Sequence, residues 1–279
     1  MINIITDSGC DIGMEYSDGE SCVIKHVPLN LQIEDTTFID DENLNLTEYL
    51  SAMEASKIAV KTSAPSPSLF LEQFKAAGDN IFVVTLSSKL SATYQSAVTA
   101  RDMYIEEYGK KFIHIFDSMT ASIGEGVIVM KLAELAKKGT EKTEIIEQIN
   151  QYIKDMRTFF ILDKFDNLVK TGRVSPYVAK LASVLNIKPI CGDEDGEIKL
   201  AEKARGYTKA VAKLIKLIKE NAPDIENRFI GITHVAAYEK AVALKEEFVK
   251  HLGVNDIRIQ EPRGITTTYG NRGGVVIAF

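Results

Sequence analysis

The sequence predicts an α/β protein of two domains. Residues 1–157 form an N-terminal domain with a mostly parallel sheet and flanking helices; residues 158–279 form a C-terminal domain with a mixed or antiparallel sheet and helices. Three observations carry that expectation. The first half alternates short apolar runs with helical patterns over short links, as parallel strands with crossover helices require. The second half has two extended runs joined by Gly192-Asp193-Glu194-Asp195-Gly196, a hairpin signal. Three apolar runs in the first half end in hydroxyl-rich turns: Thr6-Asp7-Ser8, Thr85-Leu86-Ser87-Ser88 and Asp117-Ser118. Ligands of open α/β sheets sit at such carboxyl ends.

The elements follow in order. Residues 2–5 read as a buried strand and 23–33 as a second extended segment, with Pro28 placing it at an edge. Residues 46–56 read as a helix with Thr47 near its start. Ser66 and Pro67 open a helix to 77, since Ser is a favoured N-cap and Pro a favoured first position; Gly78 stops it. A strand over 81–86 precedes a helix over 92–108, with Ser91 as its N-cap and Gly109 at its end. Then come a strand at 112–116, a helix at 127–138 closed by Gly139, and a helix at 144–156.

Residues 159–162 start the second half as a strand, and Ser175-Pro176 opens a helix to 185. The hairpin arms are 188–191 and 197–200. A helix at 207–221, a strand at 228–233, a helix at 237–252 and strands at 256–261 and 275–279 complete the chain. The boundary falls near Arg157, where no linker composition marks it. There is no internal repeat and no low-complexity segment.

Composition bounds the function. The chain has 279 residues, a hydrophobic share of 45% and a net charge of −6 without long runs of one sign. That excludes an electrostatic nucleic-acid or membrane surface. Cys10, Cys22 and Cys191 are odd in number and form no C-x-x-C pair, which fits a reducing, cytoplasmic location. No basic leader precedes the first strand, and no apolar stretch approaches the roughly 18 residues of a membrane span.

The strand ends carry many small donors and few strong acids or bases, which suits holding a polar head group better than breaking bonds. Ser and Thr there usually serve as caps and turn formers, and Ser66 and Ser91 have that role available. Thr62, Ser63 and Thr93 have no such ready structural task. Asp7 and Asp117 are either catalytic or metal-binding, or they cap backbone amides; capping is the commoner use. Gly124-Glu125-Gly126 lacks the third glycine of a dinucleotide fingerprint, and neither a phosphate loop nor a nucleophile elbow occurs. His114 alternates with Phe112 and Phe116 on a strand, and His251 sits near a helix end. His234, following a strand, is the histidine best placed for a site.

The ordered set of motifs resembles the DegV family of bacterial fatty-acid-binding proteins, over nearly the whole chain. The matching segments are Ile4-Ile5-Thr6-Asp7-Ser8, Val27-Pro28-Leu29 with Asp40, and Thr62-Ser63-Ala64-Pro65-Ser66-Pro67. Ser87-Ser88-Lys89-Leu90-Ser91-Ala92-Thr93-Tyr94 is similar to the family's S-S-x-L-S-G-T-Y, with Ala92 in place of Gly. Asp117-Ser118 with Gly124 and Gly126, Lys170-Thr171-Gly172-Arg173-Val174-Ser175, and Lys188-Pro189-Ile190 follow in order. The resemblance implies two α/β domains, no catalysis, no cofactor, and a long-chain fatty acid such as palmitate buried in or beside the N-terminal domain. Some members present the acid to a fatty acid kinase. Carried over by motif, Thr62 and Ser91 stand near the carboxylate, Ser63 and Thr93 support them, and Arg173 belongs to the head-group or kinase-facing surface.

One departure stands out. The family ends on G-T-H-x-G-P-G, with the His near the carboxylate. Here the segment reads Ile265-Thr266-Thr267-Thr268-Tyr269-Gly270-Asn271-Arg272, and Thr268 aligns with the His. A hydroxyl supplies neither the charge nor the proton relay of an imidazole. Arg272 is either a replacement cation or a solvated loop residue. Two other function classes stay open: a phosphotransferase-like or hydrolytic enzyme, and a lipid-responsive regulatory protein.

Overall fold

The computed structural model describes residues 1–279, with the side chain of Met14 set aside. The first part of the chain runs β1 (Ile2–Asp7), β2 (Cys22–Val27), β3 (Asn30–Ile33), β4 (Thr36–Ile39), α1 (Leu46–Ala55), β5 (Lys61–Ser63), α2 (Pro67–Ala76), β6 (Asn80–Thr85), α3 (Thr93–Tyr108) and β7 (Phe112–Asp117). Two helices, α4 (Ile123–Lys137) and α5 (Lys142–Asp155), lead into β8 (Thr158–Ile161), α6 (Asp166–Lys170) and α7 (Pro176–Ala182). The remainder is β9 (Ile187–Glu194), β10 (Glu197–Arg205), α8 (Tyr207–Asn221), β11 (Ile230–His234), α9 (Tyr238–Leu252), β12 (Ile257–Gln260), α10 (Gly264–Gly270) and β13 (Val275–Ala278).

Three sheets result. A four-stranded sheet, ordered β2-β1-β6-β7, is parallel throughout. A six-stranded sheet, ordered β10-β9-β8-β13-β11-β12, is antiparallel except for the β11–β12 pair. Both match the sequence expectation. A third, small antiparallel sheet, ordered β4-β3-β5, does not appear in it. The extended segment 23–33 is two strands in two sheets. Pro28 sits between them without an N–H to continue a ladder. Leu29 then turns onto the neighbouring loop, where its N–H donates to Ser8 Oγ at 3.0 Å.

The layers stack around one central helix. α2 and α3 cover one face of the parallel sheet through Phe70, Phe74, Ala97 and Ala100. α8 and α9 cover the far face of the mixed sheet through Leu214, Ile218, Leu244 and Phe248. Between the sheets lies α4, which packs on β1 and β6 on one side and on β11 and β13 on the other. A helix sandwiched between two sheets must be apolar over most of its surface: Val127, Ile128, Val129 and Leu132 are all buried, and only Glu134 and Lys137 near its end are exposed. Each such side chain contributes about 1.5–3 kcal/mol by leaving water.

Helix α4 begins four residues earlier than the hydrophobic pattern suggests, because its first turn contains two glycines. Gly124 is required by proximity: a β-carbon there would stand 2.3 Å from Thr120 Oγ1 and 2.7 Å from Thr158 Oγ1. The hairpin between β9 and β10 turns on Asp195 (φ 50°) and Gly196 (φ 80°), the left-handed pair of a tight two-residue turn. Its arms are longer than the sequence indicates. No helix of the described residues is long and apolar enough to cross a membrane.

Candidate functional site

A chamber of about 110 Å³ opens along the seam between the two large sheets. That is a narrow slot, smaller than the usual ligand pocket. One side of its wall comes from Leu29, Leu86, Leu90, Met119 and Ala121, and the other from Phe160, Leu162, Leu168, Ile198 and Val276. The chamber is therefore shared between the two halves and not contained in the first.

Polar groups gather at one pole of this apolar wall. Thr62 stands on β5, held by pairing with Leu31 of β3. Its Oγ1 lies 2.7 Å from the hydroxyl of Tyr269 on α10. Ser91 precedes α3; its Oγ lies 2.8 Å from Thr93 Oγ1 and accepts from the Thr93 N–H at 3.3 Å. The N-cap position proper belongs to Ala92, so Ser91 caps from one residue further out. Arg173 reaches in from the loop after α6. Its Nε donates to the Leu90 carbonyl at 3.1 Å, and its guanidinium lies 5.3 Å from the centre of the Tyr269 ring. A neutral hydroxyl set with one cation suits a carboxylate.

The structure separates the sequence-predicted residues. Thr62, Ser91 and Arg173 line the chamber together. Thr93 is buried directly behind Ser91. Ser63 is exposed on the other face of β5, paired with Asn30 Nδ2 at 3.4 Å, because successive strand residues alternate faces. Thr268 does not reach the chamber: it is fully buried against α1, 2.6 Å from the Tyr49 hydroxyl, and donates to the Gly264 carbonyl at 2.7 Å. The residue that does reach it is the next one, Tyr269. Arg272 is not a spare cation at the pole; it forms a two-pronged exposed ion pair with Glu54 at 2.9 and 3.0 Å.

The acidic turn residues cap backbone. Asp7 accepts from the N–H groups of Gly9 and Leu86, both at 2.8 Å, and Asp117 from those of Ser88 and Met119. Burial raises the Asp7 carboxyl to about 7, against those two hydrogen bonds. His234 is buried at the end of β11, away from the chamber, with Nδ1 accepting from the Ala237 N–H at 3.5 Å. His114 is half-buried against the edges of Phe82 and Phe116.

Two buried acids from the first half hold α10 in place, and the hydrophobic pattern gave no sign of either. Asp40 accepts from the N–H groups of Gly264 and Ile265 at 2.8 and 2.9 Å. Asp11 accepts from the Arg263 N–H at 2.7 Å, and its other oxygen takes the hydroxyls of Ser122 and Thr266 at 2.5 and 2.7 Å. Burial raises Asp11 to about 6 and Asp40 above its ordinary range. A third acid, Glu125 in the first turn of α4, is fully buried without a hydrogen-bond partner among the described residues; burial and the nearby Asp7 hold its carboxyl well up.

Comparison with known proteins follows the same lines. The DegV family model matches residues 1–278. A DegV domain-containing protein of Streptococcus pyogenes is 34% identical over 281 residues, covering 99% of this chain and 98% of that protein. Among solved structures, a DegV family protein of Ruminococcus gnavus refined with vaccenic acid superposes with a TM-score of 0.92 at 35% identity. It spans 100% of this chain and 99% of its own. The Streptococcus pneumoniae fatty acid kinase (Fak) B3 protein, loaded with linoleic acid, gives 0.93 at 30% identity with the same coverage.

Proposed function

The chain belongs to the DegV family, and on that premise we propose that it binds a long-chain fatty acid in the seam chamber. The carboxylate rests at the pole made by Thr62, Ser91, Tyr269 and Arg173, with Thr93 supporting Ser91. The observation that carries this reading is a mostly apolar chamber whose one guanidinium, Arg173, stands with the hydroxyls of Thr62, Ser91 and Tyr269 at one pole. Relatives of 30% identity or more hold vaccenic and linoleic acids in the same fold. An alkyl chain of about 14 methylenes contributes on the order of 11 kcal/mol on leaving water, as an upper bound before ordering costs. The tail supplies the affinity, and the head needs only enough donors to avoid an unpaired buried carboxylate.

On α10 it is Tyr269, next to Thr268, whose side chain stands at the pole. A phenol donates one hydrogen bond and stays neutral at ordinary pH. The pole therefore depends on Arg173 for its positive charge. Weak, neutral donors leave the carboxylate available to a phosphorylating partner. The similarity to the Fak B3 protein supports presentation to a fatty acid kinase, with this chain as carrier and not catalyst. The domain division at 157/158 and a cytoplasmic location belong to the same proposal; three unpaired, buried cysteines fit a reducing compartment.

Thr62→Val and Ser91→Ala test it. Loss of one hydrogen bond to a charged group costs about 1.5–3 kcal/mol, so each variant is expected to weaken binding roughly 10- to 100-fold. Lipid-displacement titration measures this. Affinity unchanged in both variants would remove the pole from the carboxylate.

A further inference from the structure

Beyond the pole, the chamber wall carries polar side chains that an unmodified alkyl chain has no use for. Thr120, Ser122, Thr158, Asp193 and Thr266 all line it. Placing polar groups against a hydrocarbon is unfavourable unless something pairs with them. Their own bonding is asymmetric. Ser122 and Thr266 each spend their single hydrogen on Asp11, so both remain acceptors only. Thr120 and Thr158 sit 2.7 Å apart, and neither hydroxyl has another partner among the described residues. Two hydrogens serve one bond there, which leaves one donor over. Asp193 fixes Thr158 by accepting its N–H at 2.6 Å, with a carboxyl raised to about 6 by burial.

This patch has a definite place. Thr266 precedes Tyr269 by three residues on α10, so the two are neighbours one helical turn apart. Ser122 shares the carboxylate of Thr266, and Thr120 is two residues from Ser122. The patch therefore lies against the part of the ligand nearer its carboxylate. A secondary alcohol has one donor and two lone pairs. It can donate to the Ser122–Thr266 acceptors and accept the spare hydrogen of the Thr120–Thr158 pair. A ketone or ether can only accept, and a methylene does neither.

We propose that the chamber selects fatty acids bearing a hydroxyl on the carboxyl-proximal half of the chain over plain acids of equal length. This rests on the fatty-acid reading above and names the ligand class within it. The test is a set of dissociation constants for stearate and for hydroxystearates with the hydroxyl moved along the chain. The purified protein is compared with its Thr266→Val and Thr120→Val variants. At least one carboxyl-proximal isomer is expected to bind about tenfold tighter than stearate, as one net hydrogen bond gives. The stearate-to-hydroxystearate ratio is expected to fall to about one in Thr266→Val, whatever the variant does to stearate itself. The ratio, not absolute affinity, is read, so a general loss of packing does not imitate the result.

Stearate bound as tightly as every isomer overturns the proposal and leaves fatty-acid binding standing. A preference that persists in both variants also overturns it. Binding of neither acid removes the fatty-acid reading, and this inference with it.

Discussion

Replacing Asp40 with alanine is expected to destabilise the protein by about 2–4 kcal/mol and to abolish tight ligand binding with it. Asp40 is 1% exposed, and its two oxygens take the first two N–H groups of α10. Without them, two buried donors lose their acceptor, each at a cost of about 1–3 kcal/mol. The sequence of α10, Gly264-Ile265-Thr266-Thr267-Thr268-Tyr269-Gly270, is a poor helix former on its own. It has glycine at both ends and four consecutive β-branched residues, which lose side-chain freedom in a helix. External capping by Asp40 and packing on α1 hold it in shape. Since α10 carries Tyr269, loosening it moves the pole. Urea denaturation and ligand titration measure the two effects. Asp40→Asn, which keeps one acceptor oxygen, is expected to lie between wild type and alanine in both. A stability within about 0.5 kcal/mol of wild type for Asp40→Ala would contradict the capping role.

Stability is expected to peak in mildly acid solution and to fall as pH rises toward about 8. Burial raises Asp7 to about 7 and Asp11 and Asp193 to about 6, and it raises Asp40 and Glu125 as well. Each keeps its proton in the fold where the unfolded chain has released it. The folded state is thus favoured at low pH, and that contribution is lost as pH rises through each folded value. His26 acts in the opposite sense. Burial and the nearby Arg263 push it down to about 3, so its contribution is present above about 6.5 and lost on acidification. Five carboxyls outweigh one imidazole between about pH 4.5 and 6, and above that range His26 drops out.

The melting temperature at about pH 5.5 is therefore expected to exceed that at about pH 8. The corresponding free-energy difference is on the order of 3 kcal/mol, given about 1.4 kcal/mol per pKa unit. Glu125→Gln places a neutral side chain of the same shape in α4 and is expected to flatten the profile at its alkaline end. A melting temperature that rises steadily from pH 5.5 to 8 would show that these carboxyls are ionised in the fold.

Local signals were readable where local chemistry decides structure. Ser66-Pro67 starts α2, and residues 207–221 form α8 over the expected span. The Asp195-Gly196 turn sets the hairpin. What sequence could not show depends on partners far along the chain. The β3–β4–β5 sheet forms because Leu31 meets both Phe38 and Thr62. Thr62, Ser91 and Arg173, named from motifs, line the chamber together, but on α10 the side chain that reaches it is Tyr269 and not the aligned Thr268. A one-residue difference on a helix rotates a side chain by about 100°, from the chamber to the face of α1. No periodicity in a seven-residue, glycine-flanked helix fixes that angle. The capping roles of the buried acids Asp11 and Asp40 were not legible, since nothing nearby in sequence reveals the N–H groups from which they accept.

The contact between Thr62 and Tyr269 joins residues 207 positions apart, and Asp40 meets Gly264 across 224. A ribosome adding about 5–20 residues per second completes the parallel sheet and the Thr62 strand well before α10 emerges. During that interval the first half carries one side of an apolar chamber with no opposing wall and an unfinished pole. Such a surface is exposed to aggregation on the nascent chain, and α10 and β13, made later, close it. A truncation just before Gly264 is therefore expected to be as damaging as one near the start, since it leaves the earlier chain intact but unsealed.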